Sequence, residues 1–316
     1  MLDAEARMLL DLMDKAVQNG RPKLQTLPYR AGRLAVDKMS EDSEADPPTV
    51  AKVDDGAFAG PAGEIPFRRY RPLGSAATGP LPTLIYYHGG GFVIGNIDTH
   101  DSTCRRLANK SRCQVISIDY RLAPEHPFPA SIDDGVAAFR HIRDNAASFD
   151  VDAARIAVGG DSAGGAMAAV VCQTCRDQGD KTPSFQMLIY PATDSSQEHA
   201  SRKAFAEGYF LSQELIDWFW KAYLPAGTDP ADLRLSPLLA QDFAGLPPAF
   251  VLTAGHDPLR DEGRAYADRL IDAGIKTTYV NYPGTIHGFF SLTRFLPQGL
   301  QANDEAAGVL AAHFGT

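Results

Sequence analysis

Apolar positions along the chain recur in two periods. The short runs 84–87, 155–158, 185–190 and 250–254 are mostly apolar, the pattern of strands covered on both faces, and 114–120 and 277–281 read as strands beside them. The segment 64–71 (EIPFRRYR) alternates instead. It predicts an antiparallel edge strand, because no helix separates it from the run ending at Tyr87. Helical spacing is read over roughly 102–112, 132–145, 163–176, 259–273 and 303–314. The N-terminal stretch, with Leu2, Met8, Leu9, Leu12 and Met13, predicts an amphipathic helix. Strands alternating with helices predict an α/β fold, a mostly parallel sheet with helices on both faces. The rhythm breaks twice. Residues 41–55 (EDSEADPPTVAKVDD) are acidic and Pro-containing and read as a connector. Between 193 and 237 no strand is visible, and an aromatic helix, LSQELIDWFWKAYL, is inserted. Such an insertion covers a site on a rigid scaffold or packs on the core through Trp218, Phe219 and Tyr223; one segment can do both.

Composition narrows the classes. The chain has 316 residues, 44% hydrophobic and 22% charged, with a net charge of -9. That is ordinary for a globular protein and long enough for a large core. The acidic balance speaks against nucleic acid and against a polybasic membrane anchor. No apolar run approaches the roughly 18 residues of a membrane span, and the charged N-terminus does not read as a secretory signal. A cytoplasmic location is the expectation. Four cysteines make no disulfide framework. Cys172 and Cys175 form C-x-x-C well inside a predicted helix, without further ligands nearby, so buried thiols are expected rather than a redox pair or zinc site.

In an open α/β sheet, ligands bind at the carboxyl ends of the strands. After the strand RIAV comes Gly159-Gly160-Asp161-Ser162-Ala163-Gly164-Gly165. A serine on such a strand-to-helix turn exposes its Oγ, and the helix start behind it supplies N–H groups. Neither a dinucleotide nor a P-loop glycine pattern threads this loop or 88–95. A serine hydroxyl needs a base. Of eight histidines, His287, just beyond the last strand, is the best placed. His256 adjoins the candidate acid, His313 belongs to the final helix, and His88 opens a glycine run where a structural hydrogen bond is expected. The base needs a carboxylate. Asp257 follows the strand FVLTA, and Asp194 follows FQMLIY; Asp257 also fits as the cap of a helix beginning at Pro258. With Asp257 the order is Ser…Asp…His, that of the α/β-hydrolases. His88-Gly89-Gly90-Gly91, with the N–H of Ala163, fits an oxyanion hole.

Four blocks together, HGGGFVIG at 88–95, DYRLAPEHPFPA at 119–130, GDSAGG at 160–165, and DPLRDEG at 257–263 with HGF at 287–289, resemble the hormone-sensitive lipase-like esterases, the bacterial α/β-hydrolases with the HGGG motif. The resemblance covers about residues 80 to 290. It implies an α/β-hydrolase fold with a helical cap: N-terminal cap helices over 1–45, and a catalytic domain over 46–316 with an inserted cap segment about 195–230. It implies a serine carboxylesterase for short-chain esters, working through an acyl-enzyme. Ser162 would be nucleophile, His287 base and Asp257 orienting acid, with Gly90, Gly91 and Ala163 as the oxyanion hole. Asp119, Arg121 and Glu125 are expected to form a buried polar network. No cofactor and no metal is expected. The expected partner is a small-molecule ester, with neither nucleic acid nor membrane, and homodimers are common in the family. A ligand-binding module on the same fold, or an amidase or acyltransferase with the same residues, are the competing readings.

Overall fold

The structure is a computed structural model and describes residues 1–76 and 79–316. Its centre is one eight-stranded sheet in the order β1-β2-β4-β3-β5-β6-β7-β8. The strands are β1 (Lys52–Gly60), β2 (Gly63–Arg71), β3 (Leu81–Tyr87), β4 (Gln114–Ile118), β5 (Val151–Asp161), β6 (Phe185–Ile189), β7 (Ala249–His256) and β8 (Thr277–Ile286). All neighbours from β4 to β8 pair in parallel; β2 pairs antiparallel with both β1 and β4. The antiparallel expectation for 64–71 therefore holds, but that segment is not the edge. β1 is, and it includes the end of what reads as a connector. Its alternation of exposed, half-buried and one buried residue (Phe58) is too polar to stand out as a strand. An edge ribbon is buried on one face at most, so its sequence carries little hydrophobic signal.

The interior strands are apolar on both faces because both are covered. On β3, Ile85 and Tyr87 join a core with Phe139 and Ile142 of α4 (Ala130–Asp144) and Val170 of α5 (Ala163–Asp177). Leu84 and Tyr86 join the opposite core with Leu107 of α3 (Asp101–Ser111) and Leu310 of α9 (Pro297–Phe314). Period-two alternation thus splits one strand between two cores. Helix α8 (Arg260–Asp272) adds Tyr266 and Leu270 to the first.

The N-terminal helix α1 (Ala4–Gln18) buries Ala6, Leu9 and Leu10, and the Asp3 N–H donates to the Gly284 carbonyl, fastening the chain start to β8. Met8 and Leu12, expected on the apolar face, are half-exposed. Helix α2 (Tyr29–Ser43) lies across the strand ends: Arg33 donates to the carbonyls of Val93 and Ala123 and forks onto Glu125, and Asn96 donates to Asp37. In the inserted stretch, α6 (Ala200–Ala204) and α7 (Gln213–Tyr223) appear. Ser212 caps α7, accepting from the Leu215 N–H at 3.2 Å, as N-cap serines do. Its aromatic residues pack as expected: Phe219 and Tyr223 are buried, and Trp218 sits 4.7 Å from the Tyr29 ring of α2.

One expectation about the polar residues changes. Asp119, Arg121 and Glu125 do not make one buried network. Arg121 forks onto the fully buried Asp134, whereas Glu125 is exposed and paired with Arg33. The partner of Arg121 comes from α4, three turns of sequence away, which a local block could not reveal. All four cysteines are buried and free, and burial pushes the Cys172 and Cys175 thiols up, away from the reactive thiolate range. No helix among the described residues is long and apolar enough to cross a membrane.

Candidate active site

β5 ends at Asp161 and α5 begins at Ala163, leaving Ser162 alone on the turn. Its backbone sits at φ 54°, ψ -117°, a region that costs a non-glycine residue on the order of 1–3 kcal/mol. The turn can close only because its neighbours lack side chains. A Cβ on Gly160 or Gly164 would overlap the Tyr87 carbonyl. The Ser162 N–H donates to the Ile189 carbonyl at 2.8 Å, tying the turn to β6.

β8 carries His287 just past its end, and β7 is followed by Asp257. Because β5, β7 and β8 are parallel, all three residues arrive at one edge of the sheet. His287 Nε2 lies 3.0 Å from Ser162 Oγ, and Nδ1 lies 2.7 Å from Asp257 Oδ2. Asp257 is fully buried, and its Oδ1 accepts from the Leu259 N–H at 2.9 Å. Asp257 therefore serves two partners on separate oxygens, but it is not the expected cap of a helix starting at Pro258: α8 begins at Arg260, with Leu259 at its N-cap position and no side-chain capping bond. The rival, Asp194, is engaged elsewhere: its carboxylate accepts from Ser196, Gln197 and His199.

The glycine run lies across from these residues. Gly90 and Gly91 have φ 116° and 60°, which glycine adopts freely. The Gly90 carbonyl accepts from the N–H groups of Val93 and Ile94. The N–H groups of Gly90 and Gly91 have no hydrogen-bond partner among the described residues. They and Ala163, the first residue of α5, line one cleft of about 200 Å³ with Ser162 and His287. That cleft is roofed by Leu211, Leu215, Phe219, Trp220 and Tyr223 of the inserted stretch, with Val36, Met39 and Ser43 from α2.

The other candidate histidines fall away. His88 is buried, stacks on Tyr120 at 4.3 Å and bonds the Gly89 carbonyl through Nδ1. Burial holds its pKa down near 3, so it stays neutral. His256 packs between Phe205 and Tyr209, and His313 is an exposed residue of α9 against Phe185.

A buried network that the sequence does not advertise underlies this arrangement. Asp161 Oδ1 accepts from the Gly89 N–H at 2.9 Å and the Tyr86 hydroxyl at 2.8 Å, and His100 Nε2 approaches at 3.2 Å. One carboxylate thus ties the serine turn to the start of the glycine loop. Burial works against ionising Asp161, but His100 and the hydrogen bonds outweigh it and lower its pKa, while Asp161 raises that of His100. Glu44, at the end of α2, joins this network from the cleft wall. It accepts from Thr103 Oγ1 at 3.2 Å, and burial pushes its pKa from 4.5 up to about 7. Only the position of Asp161 beside the serine hinted at any of this; Glu44 fell within the apparent connector.

Glu44 has a higher pKa folded than unfolded, so its contribution to stability is complete below pH 4.5 and is lost as pH rises through about 7. By linkage the loss is at most about 3 kcal/mol. His100 is raised too and loses its contribution in the same direction, whereas Asp161 acts only in acid. Thermal unfolding from pH 4.5 to 7.5 should show a falling midpoint, with a shallower fall in Glu44→Gln. Equal slopes in the two proteins would contradict the assignment.

Comparison with known proteins agrees with this architecture. The family model described as the alpha/beta hydrolase fold matches residues 84–291. Carboxylic ester hydrolase LipN of Mycobacterium tuberculosis is 47% identical over 268 residues, 83% of this chain and 70% of its own length. Carboxylesterase NlhH of the same organism is 42% identical over 251 residues, 78% of each chain. Among solved structures, the ester-hydrolase EH1AB1 from the metagenome of Lake Arreo, complexed with a derivative of bipyridine phosphonate, shares 81% identity over 100% of both chains with a TM-score of 0.99. The hyperthermophilic esterase of Pyrobaculum calidifontis shares 38% over 98% of each, with a TM-score of 0.91. With two thirds of its length matched by the family model and its whole length by esterase structures, the chain belongs to the alpha/beta hydrolase fold family.

Proposed function

We propose that this chain is a serine carboxylesterase of the hormone-sensitive lipase-like type, hydrolysing short-chain carboxylic esters through an acyl-enzyme. The observation that carries the reading is the pair of contacts at His287, 3.0 Å to Ser162 Oγ and 2.7 Å to Asp257 Oδ2, on a cleft edged by unpartnered glycine N–H groups. The relatives named as esterases support it.

Ser162 Oγ attacks the ester carbonyl carbon while His287 Nε2 takes its proton. Asp257 holds Nδ1–H and stabilises the imidazolium. The developing oxyanion rests on the N–H groups of Gly90, Gly91 and Ala163, each donor worth on the order of 3 kcal/mol in the transition state. The positive end of α5 favours the same charge. His287 then protonates the leaving alcohol, and a water deprotonated by His287 attacks the acyl-Ser162 ester, releasing the acid and restoring the serine. In this reading the N-terminal helices over 1–45 and the inserted segment about 195–230 form a cap on the catalytic domain, with α2, α6 and α7 closing the substrate cleft.

The test is covalent. A p-nitrophenyl alkylphosphonate should inactivate the enzyme stoichiometrically, and peptide mass spectrometry should find the adduct on Ser162. A p-nitrophenyl alkanoate series should give its highest kcat/KM among short acyl chains. An adduct on another residue, or no turnover of any ester, would refute the proposal.

A further inference from the structure

The same cleft holds a charged side chain that the hydrolytic steps do not use. Arg202, on α6, lines the cleft together with Ser162, Trp220 and Glu262, yet it is only 4% exposed. Its Nη2 donates to Glu262 Oε2 at 2.9 Å, and the guanidinium lies 5.0 Å from the centre of the Trp220 ring. Its Nε is enclosed without a hydrogen-bond partner. Its Nη1 makes no hydrogen bond to any described residue and is not among the enclosed atoms. A guanidinium has five N–H donors in a fixed fork. Here one nitrogen is engaged and the remaining donors stay unmatched beside a cleft.

Glu262 does not match them. It is fully buried, and its Oε1 is taken by the N–H groups of Thr193 at 2.8 Å and Asp194 at 3.3 Å. Arg202 from α6, with His199 and Asp194 from the segment before it, face this carboxyl. Burial nevertheless pushes its pKa up to about 7. Both oxygens of Glu262 are already engaged, so the other donors of Arg202 remain for a further acceptor. Leaving buried donors unmatched is costly, and a carboxylate in the fork of a desolvated arginine repays that cost most completely.

We propose that Arg202 is a specificity-determining residue that anchors a free carboxylate of the substrate, so that esters carrying a second, ionised carboxyl group are a preferred substrate class. The proposal rests on the esterase reading above. Its test pairs charged with neutral esters. On the acyl side, p-nitrophenyl hemisuccinate and hemiglutarate are compared with p-nitrophenyl butyrate. On the alcohol side, 3-acetoxybenzoate is compared with phenyl acetate. The ratio of kcat/KM, charged over neutral, should fall about tenfold or more in Arg202→Met in at least one pair, and recover in part in Arg202→Lys. The ratio removes any loss common to both esters, such as damage to the fold. A ratio unchanged in both pairs overturns the proposal. A second measurement needs no variant and no turnover. Glutarate should raise the thermal unfolding midpoint of the unmodified protein more than butyrate does at equal concentration and ionic strength, and equal shifts overturn the proposal. Failure of every neutral ester to react, with the glutarate shift present, would instead refute the esterase reading and leave the carboxylate site standing.

Discussion

Replacing Ser162 by alanine should lower kcat for a simple aryl ester by on the order of 10⁶, about 8 kcal/mol of barrier. The size follows from what is lost. Without Oγ no acyl-enzyme forms, and His287 has no hydroxyl to activate. The oxyanion donors of Gly90, Gly91 and Ala163 remain, so the residual rate should exceed that in water by roughly 10³–10⁴. The fold should be unaffected. Alanine keeps the Cβ of serine, so the strain at φ 54° is the same in both proteins, and the Ile189 carbonyl is held by the backbone N–H, not by the hydroxyl. Burst kinetics with p-nitrophenyl acetate and a thermal melt separate the two effects. Near-normal turnover with an unchanged melt would end the serine mechanism, whereas a collapsed melt would mean that the hydroxyl carries a structural load.

The parallel core was legible because burial on both faces leaves little room for polar residues. The strands at 84–87, 114–120, 185–190 and 250–254 show it. What was hidden was one-sided or distant. β1 lies at the sheet edge, so its residues alternate too weakly to outweigh Asp54, Asp55 and four small residues. The candidate site divides in the same way. Ser162 and His287 stand out because a sharp turn and a strand end demand particular neighbours. Asp257 could not be separated from Asp194 by residues alone, because both follow strands of one parallel sheet. What separates them is which strand has His287 beside it: β7 pairs with β8, and β6 does not. The support beneath the glycine loop was out of reach for a different reason. Asp161, Tyr86, His100 and Glu44 come from four elements, and only the folded chain brings their polar atoms together. Arg202 and Glu262 are likewise sixty residues apart and meet only through α6 and α8.

Asp257→Asn should reduce kcat by about 10⁴, roughly 5.5 kcal/mol, with little change in the thermal midpoint. The geometry explains both halves. Asp257 serves the Leu259 N–H with Oδ1 and His287 Nδ1 with Oδ2. An asparagine can satisfy both partners in one orientation, its Oδ1 accepting from Leu259 and its Nδ2 donating to His287. That donation forces Nδ1 to become the acceptor, so the ring proton moves to Nε2. The nitrogen 3.0 Å from Ser162 Oγ then carries a hydrogen and cannot take another from the serine. The imidazolium also loses the carboxylate that stabilised it. The hydrogen-bond count is conserved while the tautomer is reversed, so the packing survives and the chemistry does not. Asp194→Asn is the matched control: it sits after the neighbouring strand, its carboxylate is bound to Ser196, Gln197 and His199, and His287 Nδ1 is bound to Asp257 instead. Its substitution should act on the inserted segment, through KM or the thermal midpoint, without a loss of kcat on that scale. A 10⁴-fold loss in the Asp194 variant, with the Asp257 variant near normal, would reverse the assignment and require the strand order at this edge to differ from β6-β7-β8.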